Sequence, residues 1–167
     1  DCGLAGTVMR FVPALAALLP GEFGFDGDAH ARKRPMAPLL DGLRQLGVDV
    51  PCEGDQADAL PFTVQSSGLA QHPVEGSAIP EVRIDASASS QFVSAFLLVA
   101  PRLPQGLVIR HVGDTVPSVP HIEMTVETLR ELGVRVESSP EHYTWVLRPG
   151  AIRGFEKTIE PDLSNAG

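Results

Sequence analysis

The chain has 167 residues, 43% of them hydrophobic and 20% charged, enough for one core or for a piece of a larger domain. Its formal net charge of −8 excludes the broad cationic surface that nucleic acid requires, so any anion must be met in a local pocket. Cys2 and Cys52 are too few for a disulfide scaffold, no Cys/His cluster has metal-ligand spacing, and the longest apolar stretch, Phe92 to Ala100, falls short of a membrane span. We expect reduced thiols, a cytoplasmic location, no metal and no membrane contact.

In chain order, Met9, Val12, Leu15, Leu18 and Leu19 recur at helical spacing and predict a helix over Thr7 to Leu19, with Pro13 awkward inside it. Pro20-Gly21 breaks it, Phe23 to Asp26 reads as a short strand, and Gly27-Asp28 turns into the basic loop His30 to Arg34. Pro35 suits a helix start, Met36 to Leu46 continue it, and Gly47 stops it. Val48 to Val50 then predicts a strand, with Leu60 to Gln65 as its antiparallel partner and Ser66 to Pro80 as a loop. The order then recurs. Val82 to Asp85 reads as a strand, Ser89 to Ala100 as a helix, Leu107 to Val112 as a strand and Ile122 to Leu132 as a helix ended by Gly133. Val134 to Glu137 and Tyr143 to Leu147 form a hairpin. Thr158-Ile159-Glu160 predicts a further strand, and Leu163-Ser164-Asn165 another small-residue turn.

The recurrence is visible in the residues themselves. Leu43-Arg44-Gln45-Leu46-Gly47-Val48 matches Leu129-Arg130-Glu131-Leu132-Gly133-Val134 at an offset of 86, and Ala5-Gly6-Thr7 matches Ala88-Ser89-Ser90 at an offset of 83. A period above about 80 is too long for a solenoid and suits a duplicated β-α-β-α-β-β unit. We expect unit one over about 1–68, a loop over about 69–80, unit two over about 81–150 and the start of a third unit over 151–167. The chain lacks a starting Met and a signal peptide, opens inside a motif at Asp1-Cys2-Gly3, and closes on what reads as a helix start. We expect a piece of a longer polypeptide.

Small, hydroxyl-bearing and basic residues gather where a helix begins, and free N–H groups there make an anion site. Gly6 admits a ligand close to the backbone, Thr7 can cap the helix or donate to an oxyanion, and Arg10 follows on the same helix. Arg32, Lys33 and Arg34 stand before a helix N-terminus that already carries partial positive charge. Arg34, fixed against Pro35, is the functional candidate, whereas Arg32 and Lys33 read as solvated. Ser89, Ser90 and Gln91 open the second copy's first helix, and Ser118 and His121 precede its second. Each cluster alone also describes a plain helix cap. Together they should converge on one end of the domain.

At these positions the sequence resembles the 3-phosphoshikimate 1-carboxyvinyltransferase (5-enolpyruvylshikimate-3-phosphate synthase) family. The resembling motifs are Ala5-Gly6-Thr7-Val8-Met9-Arg10, Gly27-Asp28 with Arg34-Pro35-Met36, Asp85 with Ser89-Ser90-Gln91-Phe92, and Gly113-Asp114 with Ser118-Val119-Pro120-His121. The resemblance implies an α+β fold of repeated β-α-β-α-β-β units with buried helices and outer sheets (the enolpyruvyl transferase fold). About two of the three units of one domain are present. It implies transfer of the enolpyruvyl group of phosphoenolpyruvate to the 5-hydroxyl of shikimate 3-phosphate, with release of phosphate, no cofactor, glyphosate as inhibitor and a monomeric parent enzyme. Carried over, Gly6, Arg34 and Gln91 would bind phosphoenolpyruvate. Ser89, Ser90, Gln91 and Ser118 would bind shikimate 3-phosphate, and Thr7, Arg10 and His121 would support them.

Leu4 stands where the family usually has Asn, and His121 where it often has Tyr. The family's N-terminal Lys-Ser and Arg, and its second domain's Asp, Glu, Lys and Arg, have no counterpart in these residues. No catalytic acid or base is therefore expected within the chain. The related UDP-N-acetylglucosamine enolpyruvyl transferases share the repeated fold but carry a reactive Cys before their Arg-Pro, where this chain has Ala29. A non-catalytic phospholigand-binding module built on the same duplicated units is the alternative from another class.

Overall fold

A computed structural model describes residues 1–52, 58–75 and 78–158. The helices are α1 (Gly6–Ala16), α2 (Ala37–Gln45), α3 (Gln91–Val99) and α4 (Val119–Glu131). The strands are β1 (Pro20–Phe25), β2 (Phe62–Ser67), β3 (Glu81–Ile84), β4 (Leu107–His111), β5 (Val136–Ser139) and β6 (Thr144–Leu147). The fold is α+β, as expected, and residues 81–147 carry the full β-α-β-α-β-β order. Their sheet runs β3-β4-β6-β5, with β3 and β4 parallel and the other pairs antiparallel. In the first copy β1 pairs with β2 alone as a two-stranded antiparallel sheet.

The duplication is written in hydrogen bonds as well as letters. Gly47 and Gly133 both adopt left-handed backbone, with φ of 83° and 93°, the conformation that lets a helix turn out of its last turn. The N–H of Val48 returns to the carbonyl of Leu43 at 3.1 Å, and that of Val134 to Leu129 at 2.9 Å. Arg44 donates to the Val50 carbonyl at 3.0 Å, and Arg130 to the Val136 carbonyl at 2.8 Å. Each arginine closes a helix C-terminus, where cations are favoured, and pins the segment that follows.

α3 is the centre of the molecule. Phe92, Val93, Ala95, Phe96, Leu97 and Val99 are all buried. It packs against α1, α2, α4 and β4, as an all-round apolar helix should. α2 packs tightly against it at Gly42, where a β-carbon would overlap the Phe96 ring and lie 3.2 Å from Ile84 Cγ2.

Several expectations need correction. Val48 to Val50 forms no regular strand: isolated bridges join Asp49 to Gln65 and Cys52 to Phe62, and β1 is the main partner of β2. β2 runs on to Ser67, into the expected loop, and β1 begins at Pro20, in the expected break. α2 begins at Ala37 with Pro38 in its first turn, so Pro35 lies ahead of the helix rather than in it. α1 runs through Pro13 but stops at Ala16, and Ala5, not Thr7, is its N-cap. α1 is also not buried all round. It sets Met9, Pro13 and Ala14 into the core and leaves Val8 and Val12 38% exposed and Leu15 57% exposed. Leu4 and Leu19 extend this exposed apolar stripe. Ile159, Glu160 and Leu163 to Asn165 lie outside the described residues.

Gly42→Ala should destabilise the fold by about 1–3 kcal/mol, the usual cost of forcing an extra methyl group into a packed contact. Denaturant unfolding measures this. Wild-type stability would mean that α2 and α3 do not approach as described.

Candidate functional site

α1 and α3 begin side by side, one from each copy, and the candidate residues lie at this junction. Gly6 is the first residue of α1, and no side chain caps that helix. Its first-turn N–H groups therefore lack the intrahelical partners that later turns have. Arg34 comes back over this end from the loop before α2, donating to the Leu4 carbonyl at 3.2 Å. A β-carbon on Gly6 would stand 2.9 Å from Arg34 Nη1, so the absence of a side chain is what lets the guanidinium sit there. The backbone at Gly6 is not left-handed, so the glycine serves the approach of Arg34 rather than a turn.

Arg10, one turn along α1, crosses to the second copy. Its Nη1 donates to Gln91 Oε1 at 2.7 Å and reaches Ser89 Oγ at 3.4 Å. The guanidinium lies over the Phe92 ring, 5.4 Å from the centroid, a cation–π arrangement. Its Nε is buried without a partner among the described residues. Burial, and then the neighbouring positive charge of Arg34, pull the Arg10 pKa below the usual arginine range. Among the described residues no carboxylate pairs with Arg10 or with Arg34. Arg32 differs: it grips Asp26 through two hydrogen bonds of 2.6 and 2.8 Å on the surface. Asp26 is accordingly held below the usual carboxylate range, chiefly by that hydrogen bond.

The Arg10 contact also orients Gln91. A guanidinium has donors only, so the carboxamide oxygen must face it, and the NH2 end is left to donate elsewhere. Ser89 Oγ accepts from Arg10 and from the Gln91 N–H, the latter at 3.3 Å, leaving its own O–H as a donor. The Phe92 and Val93 N–H groups turn back onto the Ser89 and Ser90 carbonyls at 3.4 and 3.1 Å. The second copy therefore offers hydroxyls and an amide to a ligand, while unpaired helix N–H groups belong to α1. Ser90 is buried at the N-cap of α3 and makes no capping side-chain bond.

The expected convergence holds for Gly6, Arg10, Arg34, Ser89, Ser90 and Gln91. Ser118 and His121 stand apart. Ser118 is exposed in left-handed backbone (φ 54°) at the N-cap of α4, and His121 is exposed beside it. No hydrogen bond or ion pair joins either residue to the cluster among the described residues. Thr7 is exposed on the first turn of α1. Sequence reasoning did not find the pairing of Arg10 with Gln91, because it spans 81 residues and two copies. The signal available was the equal placing of both clusters ahead of equivalent helices.

A family model for EPSP synthase (3-phosphoshikimate 1-carboxyvinyltransferase) matches residues 1–167. The chain belongs to the EPSP synthase family. It is similar to the 3-phosphoshikimate 1-carboxyvinyltransferase of Kocuria rhizophila, 55% identical over 168 residues, covering 100% of this chain and 36% of that protein. To the same-named protein of Mycobacterium ulcerans it is 52% identical over 166 residues, covering 99% and 36%. The chain thus spans about a third of the length of these relatives. In fold it is similar to EPSP synthase from Acinetobacter baumannii, with a TM-score of 0.68, 22% identity, and 91% of this chain and 31% of that one covered. A second structure of that enzyme gives a TM-score of 0.67.

Gly6→Ala separates a site glycine from a helix-start glycine. Alanine inside a helix is better than glycine by roughly 0.5–1 kcal/mol, so the melting temperature should hold or rise. The added methyl displaces Arg34, and inorganic phosphate affinity of the chain should fall roughly fivefold or more as a charge-assisted contact is lost. Unchanged phosphate affinity in the folded variant would remove Gly6 from the site.

Proposed function

We propose that the chain is part of a 3-phosphoshikimate 1-carboxyvinyltransferase, which joins phosphoenolpyruvate to the 5-hydroxyl of shikimate 3-phosphate. The observation that carries this reading is the pair of neighbouring guanidiniums, Arg10 and Arg34, with no carboxylate partner among the described residues, in a chain of net charge −8. Like charges so close are tolerated where an anion completes the site. The relatives at 52–55% identity supply the chemistry that the anion takes part in.

In that reaction the 5-hydroxyl gives up its proton as its oxygen bonds to C2 of phosphoenolpyruvate, and a proton adds to the methylene carbon. The C2–O bond to phosphate then breaks, the methyl carbon formed in the first step releases a proton, and the enol ether and phosphate remain. This chain's residues bind and orient. Gly6 and Arg34 hold the phosphoenolpyruvate phosphate, a corner that glyphosate's phosphonate would share, and Ser89, Ser90 and Ser118 hold the 3-phosphate of shikimate. Gln91, with its amide set by Arg10, donates from between them. Ser118 meets the others through the ligand. The acid, the base and the carboxylate clamp come from the remainder of a longer polypeptide, and that remainder covers the exposed stripe Leu4, Val8, Val12, Leu15 and Leu19 of α1. An enolpyruvyl transferase for UDP-N-acetylglucosamine fits less well: Ala29 occupies the loop, Cys2 is buried in the core and Cys52 sits beside Arg44 and Asp58.

Two measurements follow. The purified 167-residue chain should release no phosphate from phosphoenolpyruvate and shikimate 3-phosphate, because positioning without the acid and base leaves the barrier in place. Turnover by the chain alone would contradict this. In a protein carried to the relatives' full length, Arg34→Ala should raise the phosphoenolpyruvate KM about 10–150-fold, the range for about 1.5–3 kcal/mol lost with one charged hydrogen-bonding group. Arg32→Ala, whose charge is spent on Asp26 at the surface, should change it by less than about fivefold. Equal effects would refute the assignment.

A further inference from the structure

His111 ends β4 and has only 7% of its surface exposed. Its Nδ1 accepts the Ala86 N–H at 3.1 Å, a bond enclosed by the protein. An N–H aimed at Nδ1 needs a lone pair there, so the ring is neutral and carries its proton on Nε2. That Nε2 is buried without a partner among the described residues. The ring stands edge-on to Tyr143, with centroids 5.4 Å apart and an interplanar angle of 87°. Its Cε1 lies against Gly113, where a β-carbon would come within 2.7 Å of it and would overlap Asp85 Oδ1 and Ser87 Oγ. As packing, an imidazole is a poor choice here: an apolar ring would fill the space without an orphaned buried N–H.

The bond to Ala86 gives it another use. The Ala86 carbonyl accepts the Ser89 N–H at 3.0 Å, so this one residue is held at its N–H by His111 and at its carbonyl by the Ser89 turn. Beside it, Asp85 Oδ1 accepts the Ser87 N–H at 2.9 Å. The chain of contacts runs from His111 through Ala86 to Ser89, and from Ser89 to Gln91 and Arg10. We propose that His111 is a positioning residue: acting through Ala86, it sets the height of the Ser89-Ser90-Gln91 turn and so the affinity for shikimate 3-phosphate. The role rests on the reading of Ser89 and Ser90 as holders of the 3-phosphate.

Packing and positioning call for opposite replacements. Phenylalanine keeps the ring and loses the acceptor, whereas asparagine loses the ring but places Oδ1 near the site of Nδ1. In the full-length protein, His111→Asn should keep the shikimate 3-phosphate KM within about threefold of wild type. His111→Phe, although folded, should raise it roughly tenfold while the phosphoenolpyruvate KM stays nearly constant. Long-range 1H–15N spectra of the unmodified chain should show an imidazole protonated on Nε2 with Nδ1 accepting. A wild-type KM in the phenylalanine variant, equal damage from both substitutions, or a ring protonated on Nδ1 would overturn the proposal. The expected tautomer together with no saturation by shikimate 3-phosphate in the wild type would instead sink the site reading, and the role of His111 with it.

Discussion

The contact between the Arg10 guanidinium and the Gln91 carboxamide is the constraint on which the rest of the site depends. It is a 2.7 Å side-chain hydrogen bond between the two copies, and it joins helices that begin side by side but come from different repeats. Arg10 donates to Gln91 and Ser89, rests on Phe92 and, among the described residues, has no carboxylate to neutralise it. A partly buried cation without a counter-ion is costly unless something negative completes it. The protein reaches that arrangement without a basic surface. The charge at the site is local, and Arg32, only two residues from Arg34, is neutralised by Asp26.

The two copies divide the labour because their helix starts differ. α1 opens on a bare glycine with uncapped N–H groups and a guanidinium folded over it. α3 opens on serines whose backbone neighbours are already turned inward, so it presents O–H groups and an amide. Such a pair suits two phosphate-bearing ligands held next to each other without merging their sites. The close approach at Gly42 and the central position of α3 bring the copies into one rigid contact, so a shift in either helix would be felt across the junction.

Much of this was legible in the sequence because it is local. Gly47 and Gly133 mark helix ends through backbone conformation that few other residues adopt, and the equal spacing of Arg44 and Arg130 from them exposed the duplication. Gly6, Arg34, Ser89, Ser90 and Gln91 were marked by residue type at a helix start. What was not legible depends on distant partners. Nothing in Val48 to Val50 says that β2 will spend its hydrogen bonds on β1 instead. Nothing near Val8, Val12 and Leu15 says that one face of an apolar helix stays uncovered among the described residues. Nothing around His111 in the sequence singles it out, because its partner is a backbone N–H 25 positions earlier. Ser118 and His121 were placed by analogy with the first copy, and the αL turn at Ser118 leaves them on the surface, apart from the cluster.

The central claim is that Arg10 and Arg34 form a site built for an anion, distinct from the other arginines of the chain. The most direct measurement is a titration of the 167-residue chain with inorganic phosphate, followed through the Nε–H resonances of its arginines. The account predicts saturable shifts at Arg10 and Arg34, accompanied by the Gly6 and Gln91 amides, with Arg32 and Arg44 nearly still because their guanidiniums are already held by Asp26 and by Asp41 and Asp58. Shifts spread evenly over all the arginines, or none at Arg10 and Arg34, would contradict it.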